Sequence, residues 1–160
     1  MQDYYINKRV CALIHIEYNS ILEGVVNLDF NLKVGMTAEV GLKVSDKDTA
    51  VSFGSGEVSV FATPMMIALM EKASLTAVDP HLDKGYATVG LTVNVKHMAA
   101  TPVGMEVTAR AELLNIEGKK LTFKIEAFDE VEKIGEGTHE RYIIELAKFL
   151  DRTGKKGSVQ

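Results

Sequence analysis

One stretch limits what this chain can fold into more than any other: residues 64–79, PMMIALMEKASLTAVD. Met, Ala and Leu dominate it, all good helix formers. Thr63 offers an N-cap oxygen, and Pro64 suits the first helical turn. Asp79-Pro80 ends the run, because the residue before a proline is pushed out of the helical region. Apolar side chains occupy most of the circumference, so this helix cannot lie on a surface with one broad face in water. It has to be wrapped.

The rest of the chain supplies the wrapping. Residues 37–44 alternate Ala38, Val40, Leu42 and Val44 with Thr37, Glu39, Gly41 and Lys43, the mark of a half-buried strand. A polar, glycine-bearing stretch at 45–57 leads to a short strand-like piece at 58–62. After the helix, residues 88–97 place Val89, Leu91, Val93, Val95 and His97 on one face and Gly90, Thr92, Asn94 and Lys96 on the other. A turn at 99–104 precedes a strand at 106–116 with Val107, Ala109, Ala111 and Leu113 inward. Glu117-Gly118 signals a tight hairpin, and residues 121–129 alternate again through Leu121, Phe123, Ile125 and Ala127. A last strand spans about residues 135–146. Hairpin-length connections imply antiparallel neighbours. The fold class is therefore α+β: a curved antiparallel sheet wrapped around one long helix, closed by a second copy of the chain.

Three segments follow from this reading: an extension of unknown role at 1–30, the domain at 31–150, and a small, basic, glycine-containing stretch at 151–160 that reads as an unstructured tail. The chain has 160 residues, enough for one domain and one core. Its hydrophobic fraction of 46% and charged fraction of 25% are those of an ordinary globular domain. No apolar run approaches the ~20 residues that span a bilayer, and 10–16 is interrupted by His15. With one cysteine, Cys11, no internal disulfide can form, so a reducing, cytoplasmic setting is expected. No Cys/His cluster has zinc-ligand spacing, and neither metal nor cofactor is expected. The net charge is −4 with basic residues dispersed, which argues against nucleic acid as a partner.

Two residues break the apolar pattern. Glu71 lies mid-helix among Ile67, Ala68, Ser74 and Leu75, where a buried carboxylate needs a partner. The plain alternative is a narrow solvent stripe shared with Lys72. His97 ends an alternating strand on the valine face, as a structural residue or a general acid/base. Thr63 is explained as an N-cap, although a helix N-terminus also favours developing negative charge. Gly90 marks a close approach of backbone or ligand to the strand. His15, His81 and His139 belong to no metal or nucleophile motif. His139 and Arg141 share a face of the last strand and read as a structural polar patch formed with Glu residues.

The blocks VFATPMMIALME (60–71), TVG (88–90), VKHMAATP (95–102) and IGEGTHER (134–141) resemble the fluoroacetyl-CoA thioesterase-like branch of the hotdog superfamily. The resemblance spans about residues 31–150 and keeps the order of the blocks. It implies a short-chain acyl-CoA as substrate, hydrolysed to free acid and coenzyme A. It also implies a homodimer with sites at the subunit interface, and leaves a pair of dimers open. By position it assigns catalytic roles to Thr63, Glu71 and His97 and an oxyanion-binding backbone N–H to Gly90. The fluoroacetyl preference is not carried over, because residues 47–56 hold one aromatic side chain, Phe53. Lys96, Lys119 and Lys120 are candidates for the coenzyme A phosphates. Thr63 and Glu71 stand eight residues apart, about 12 Å of helix, so a site completed by two subunits is expected. The competing readings are a non-catalytic acyl-CoA-binding sensor or carrier and a hydratase, the latter without a matching acid/base pair.

Overall fold

The computed structural model describes residues 30–157, so the expectations for residues 1–29, Cys11 included, lie outside it. Five strands form one antiparallel sheet: β1 (Thr37–Lys43), β2 (Tyr86–His97), β3 (Glu106–Glu117), β4 (Lys120–Asp129) and β5 (Lys133–Glu145). Their order across the sheet is β1-β3-β4-β5-β2. A short helix α1 (Ala50–Phe53) precedes the long helix α2 (Thr63–Val78), and α3 (Leu146–Gly157) closes the chain. The α+β arrangement read from the periodicities is the one adopted.

Strands β3 and β4 carry the core on the residues that their alternation singles out. Val107, Ala109, Ala111 and Leu113 face α2 together with Leu121, Phe123, Ile125 and Ala127, all fully buried. Gly118 opens the hairpin between them at φ +58°, a conformation that costs glycine little. Helix α2 sets Met66, Met70, Ala73 and Ala77 into this surface at helical spacing. Each large side chain so buried contributes about 1.5–3 kcal/mol. The opposite side of α2 stays open in the single chain: Thr63, Ala68, Lys72 and Thr76 are exposed, and Ile67, Glu71 and Leu75 are half-buried.

Strand β2 departs from the sequence pattern. Its register with β5 shifts between Gly90 and Thr92, so Leu91 is an extra residue and stands 56% exposed. Such a bulge moves the strand's side chains from one face to the other. Before it, Thr88 and Gly90 face the helix; after it, Val93, Val95 and His97 do. Gly90, expected on the face opposite His97, therefore shares the face of His97, and Leu91 leaves the inward set.

Residues 45–62, expected as a polar stretch and a strand-like piece, form a 3-10 turn at Asp46–Asp48, α1 and two isolated bridges, Thr49 with Phe61 and Val60 with Pro102. Asp48 holds the turn by accepting from the Ser45 N–H at 2.8 Å and its hydroxyl at 2.6 Å. At the other end, the stretch read as a tail continues as helix through Gly157. Leu146, Phe149 and Leu150 line one side of α3 at helical spacing.

Candidate active site

The position of Thr63 follows from what caps α2. The N-cap residue is Ala62, which has no side-chain cap, and Thr63 is the first helical residue. Its hydroxyl, read from sequence as the cap, is spent elsewhere: Oγ1 lies 2.8 Å from Nδ1 of His97. The contact joins the start of α2 to the end of β2, 34 positions away in sequence. Helix and strand run antiparallel, so Asp79 at the far end of α2 likewise meets Thr88 near the start of β2.

The Thr63–His97 pair opens onto a cavity of about 380 Å³ lined by Ala50, Ser55, Val60, Phe61, Met98, Ala99 and Ala100. The loop that forms its floor is fixed by Thr101, fully buried, whose hydroxyl donates to Asp129 Oδ2 at 2.9 Å. Nε2 of His97 is buried and has no hydrogen-bond partner among the described residues. Burial lowers the pKa of His97 below its usual value, offset in part by the Ala99 backbone. The ring is thus poised as a neutral base whose second nitrogen is unsatisfied, a state that a bound ligand can relieve.

Glu71 lies in a second cluster further along α2. The Cβ missing from Gly90 would fall 2.6 Å from Glu71 Oε1, so only glycine lets the carboxylate rest against β2. Across from it stand two groups on β5: His139 Nε2 at 3.6 Å and Arg141 Nη1 at 3.9 Å. His139 is fully buried and Arg141 nearly so. Arg141 donates to Thr88 twice, from Nε to the hydroxyl and from Nη2 to the carbonyl, each at 2.8 Å. The Thr88 hydroxyl in turn donates to Asp79 Oδ1 at 2.5 Å. Burial pulls the Arg141 pKa down, and the charges of Asp79 and Glu71 oppose that. His139 is also pulled below its usual pKa by burial first; the Thr92 carbonyl and Glu71 act against this and Arg141 with it.

All four residues singled out in the sequence lie on the helix-facing side of β2 or on α2, in two groups: Thr63 with His97, and Glu71 with Gly90. The sequence reading took His139 and Arg141 as a polar patch that could pair with Glu residues; they lie against Glu71, and their burial is what it did not foresee. Their shared face with Ile143 was the available signal, because inward positions of a strand are buried and a buried cation needs a counter-charge. Of the three lysines considered for phosphate contacts, Lys96 is beside His97. Lys119 and Lys120 sit at the other end of the sheet, where Lys120 pairs with Glu117 and Glu140. No group of three or more His, Cys, Asp or Glu among the described residues is arranged to hold a metal ion, and no helix among them is long and apolar enough to cross a membrane.

A single long helix on a five-stranded antiparallel sheet, with a Thr/His pair and a Glu on its helix side, defines the hotdog-fold thioesterase class. Within it, a sequence profile described as fluoroacetyl-CoA-specific thioesterase matches residues 44–147, and the chain belongs to that family. It is 45% identical over 97 residues to the fluoroacetyl-CoA thioesterase of Streptantibioticus cattleyicolor, covering 61% of this chain and 70% of that one. A solved structure of a fluoroacetyl-CoA thioesterase superposes with a TM-score of 0.75 at 36% identity, over 79% of this chain and 98% of that one. A thioesterase superfamily member from Thermus thermophilus gives a TM-score of 0.73 at 26% identity, over 80% and 97%.

Proposed function

We propose that this chain is an acyl-CoA thioesterase that hydrolyses a short-chain acyl-CoA to the free acid and coenzyme A, acting as a homodimer. The observation that carries the reading is the 2.8 Å contact between Thr63 Oγ1 and His97 Nδ1 at the mouth of a small cavity lined by short side chains. With Nδ1 unprotonated, the Thr63 hydroxyl donates to it and becomes a nucleophile with its base in place. Thr63 Oγ attacks the thioester carbonyl carbon while its proton passes to Nδ1. The C–S bond then breaks, and the imidazolium returns the proton to the leaving thiolate. Water hydrolyses the acyl-threonine ester with His97 again as base. The interrupted ladder beside Gly90 supports a backbone N–H there as the oxyanion donor. A thioester is already activated, so the Thr63–His97 pair, one placed donor and the Glu71 carboxylate, which orients the attacking water, suffice.

Glu71 lies about two helical turns from Thr63 on one continuous helix, too far for the two side chains to meet. This separation supports a composite site, in which Thr63 and His97 of one protomer work with Glu71 of the partner subunit and the partner's Gly90 N–H. The edge of the sheet supports this. β2 is a terminal strand of 12 residues whose outer backbone is unpaired by any other strand among the described residues, and Lys96 is its single Lys, Arg, Asp or Glu. Long uncharged edges invite a second chain. Small lining residues (Ala50, Ser55, Ala99, Ala100) suit a short acyl group. Phe53 is 52% exposed and absent from the cavity wall, which supports a preference other than fluoroacetyl.

The test is thiol release from a panel of short acyl-CoAs by the wild type, Thr63→Ala, Glu71→Gln and His97→Ala. Turnover that collapses in folded variants supports the site. Tight acyl-CoA binding without turnover in the wild type moves the assignment to a sensor or carrier. Heterodimers of Thr63→Ala with Glu71→Gln regain activity if the site is composite. Rapid quenching captures an acyl-threonine; its absence assigns the attack to water.

A further inference from the structure

The cluster around Glu71 contains a group that the hydrolysis scheme does not use. His139 Nδ1 lies 2.8 Å from the Thr92 carbonyl oxygen, which can only accept, so Nδ1 carries a proton. In the uncharged ring Nε2 then has a lone pair. Nη1 of Arg141, which can only donate, is 3.1 Å from it. The other two guanidinium nitrogens are already committed to Thr88. The guanidinium is planar and rigid, so the Nη1 contact to the imidazole is a third hold on a plane that Thr88 already grips, and the other Nη1 hydrogen is left for the carboxylate of Glu71, 3.9 Å away. The charged and titratable groups that face Glu71 across the sheet are Arg141 and His139; Asp79 competes for the guanidinium from beyond Thr88. The ring also stands 3.3 Å from where a Cβ at position 90 would be, so imidazole and carboxylate share the room that Gly90 leaves.

We propose that His139 is a positioning residue for thioester hydrolysis: its Nε2 accepts from Arg141 Nη1 and, with the two Thr88 bonds, locks the guanidinium facing Glu71, whose carboxylate rests against Gly90. This rests on the reading that Glu71 serves the reaction. An apolar ring of similar size would fill the space but leave Nη1 without an acceptor and the Thr92 carbonyl without a donor. A charge-assisted hydrogen bond of this kind is worth more than a neutral one, and a misdirected charge at a reacting centre costs rate.

Three substitutions separate steering from filling. Gln puts an amide oxygen where Nε2 lies and can accept from Nη1. Asn keeps a donor near Nδ1 but has no acceptor at the far end. Phe keeps the volume alone. His139→Gln is expected to retain kcat within about threefold, whereas His139→Asn and His139→Phe lose about 10- to 100-fold with KM within about twofold, the fold-change of one charge-assisted hydrogen bond. Equal losses in the Gln and Asn variants, or a folded Phe variant with wild-type kcat, overturn the proposal. If the Phe variant does not fold, the Gln and Asn pair decides. A second readout needs no turnover: 15N spectra of the His139 ring should show a proton on Nδ1 and a bare Nε2 that shifts on Glu71→Gln. A ring unmoved by that change overturns the coupling. Should the wild type release no thiol from any acyl-CoA, the proposed function fails, and the 15N spectra still test whether His139 and Glu71 are joined.

Discussion

Thr63 and His97 meet through one hydrogen bond at the exposed start of α2, beside an open cavity and with no further side-chain hydrogen bond to either among the described residues. Glu71 sits two turns along the same helix against a chain of contacts that runs through His139, Arg141 and Thr88 to Asp79. The first region places its groups by secondary structure alone: a helix start and a strand end brought together. The second places its carboxylate by burying a cation and satisfying its nitrogens one by one. A nucleophile with its base can sit in the open, since both are uncharged before reaction. A carboxylate set against the sheet is held in place by a neighbouring cation, and a cation buried as Arg141 is needs partners of its own. Changes at the open pair should therefore cost activity without stability, and changes in the network should cost both.

The largest effect is expected at Glu71. Glu71→Gln keeps the shape and removes the charge; kcat for thiol release should fall about 10³-fold, roughly 4 kcal/mol of barrier. A loss below tenfold would break the assignment of Glu71 to the reaction. Next, Arg141→Met should lower unfolding free energy by about 3 kcal/mol in urea melts. It strands His139 Nε2 and the Thr88 carbonyl in the interior and leaves Glu71 uncompensated. Thr63→Ala should cut kcat about 10²-fold yet leave stability within about 0.5 kcal/mol, because Thr63 is exposed and caps nothing. A large stability loss there would erase the contrast between the two regions. Gly90→Ala drives a Cβ into the Glu71 carboxylate and should reduce kcat about tenfold, with a stability cost near 1 kcal/mol.

The smallest effect is in the pH dependence of stability. Burial holds both His97 and His139 below the usual histidine pKa of 6.5. As pH falls through 6.5, the unfolded chain takes up protons before the folded one. Stability from this source is complete above 6.5 and declines as pH drops from there toward the folded pKa values. Urea midpoints between pH 7.5 and 5 (on the order of a two-unit range about the histidine pKa) should fall, and His139→Gln should flatten that fall more than His97→Gln, its ring being fully buried. Midpoints that rise on acidification would mean that the imidazoliums are paired in the folded state.

Much of this was legible in the residues. The alternations of β3 and β4 named eight inward side chains, and all eight are buried. Glu71 and His97 stood out because each broke an apolar pattern, and both line the helix side of the sheet. Thr63 was legible as a helix start but not as a partner of His97, since the same hydroxyl would serve either end and only the packed helix shows which. His139 and Arg141 were visible as neighbours on one face. Their burial depends on Glu71 and Thr88 arriving opposite them, contacts that join β5 to α2 and β2 across long stretches of sequence.

By itself the sequence determined the elements and their faces: an apolar helix that needs wrapping, strands of period two to wrap it, and polar residues too costly to bury without cause. Those are local properties, fixed by side-chain spacing along the backbone. The bulge at Leu91, the meeting of Thr63 with His97 and of Glu71 with Gly90, and the network behind Glu71 were decided only by tertiary structure. A one-residue shift in pairing costs little locally and leaves no mark in composition, yet it moves Gly90 to the face of His97 and opens the place where the carboxylate rests.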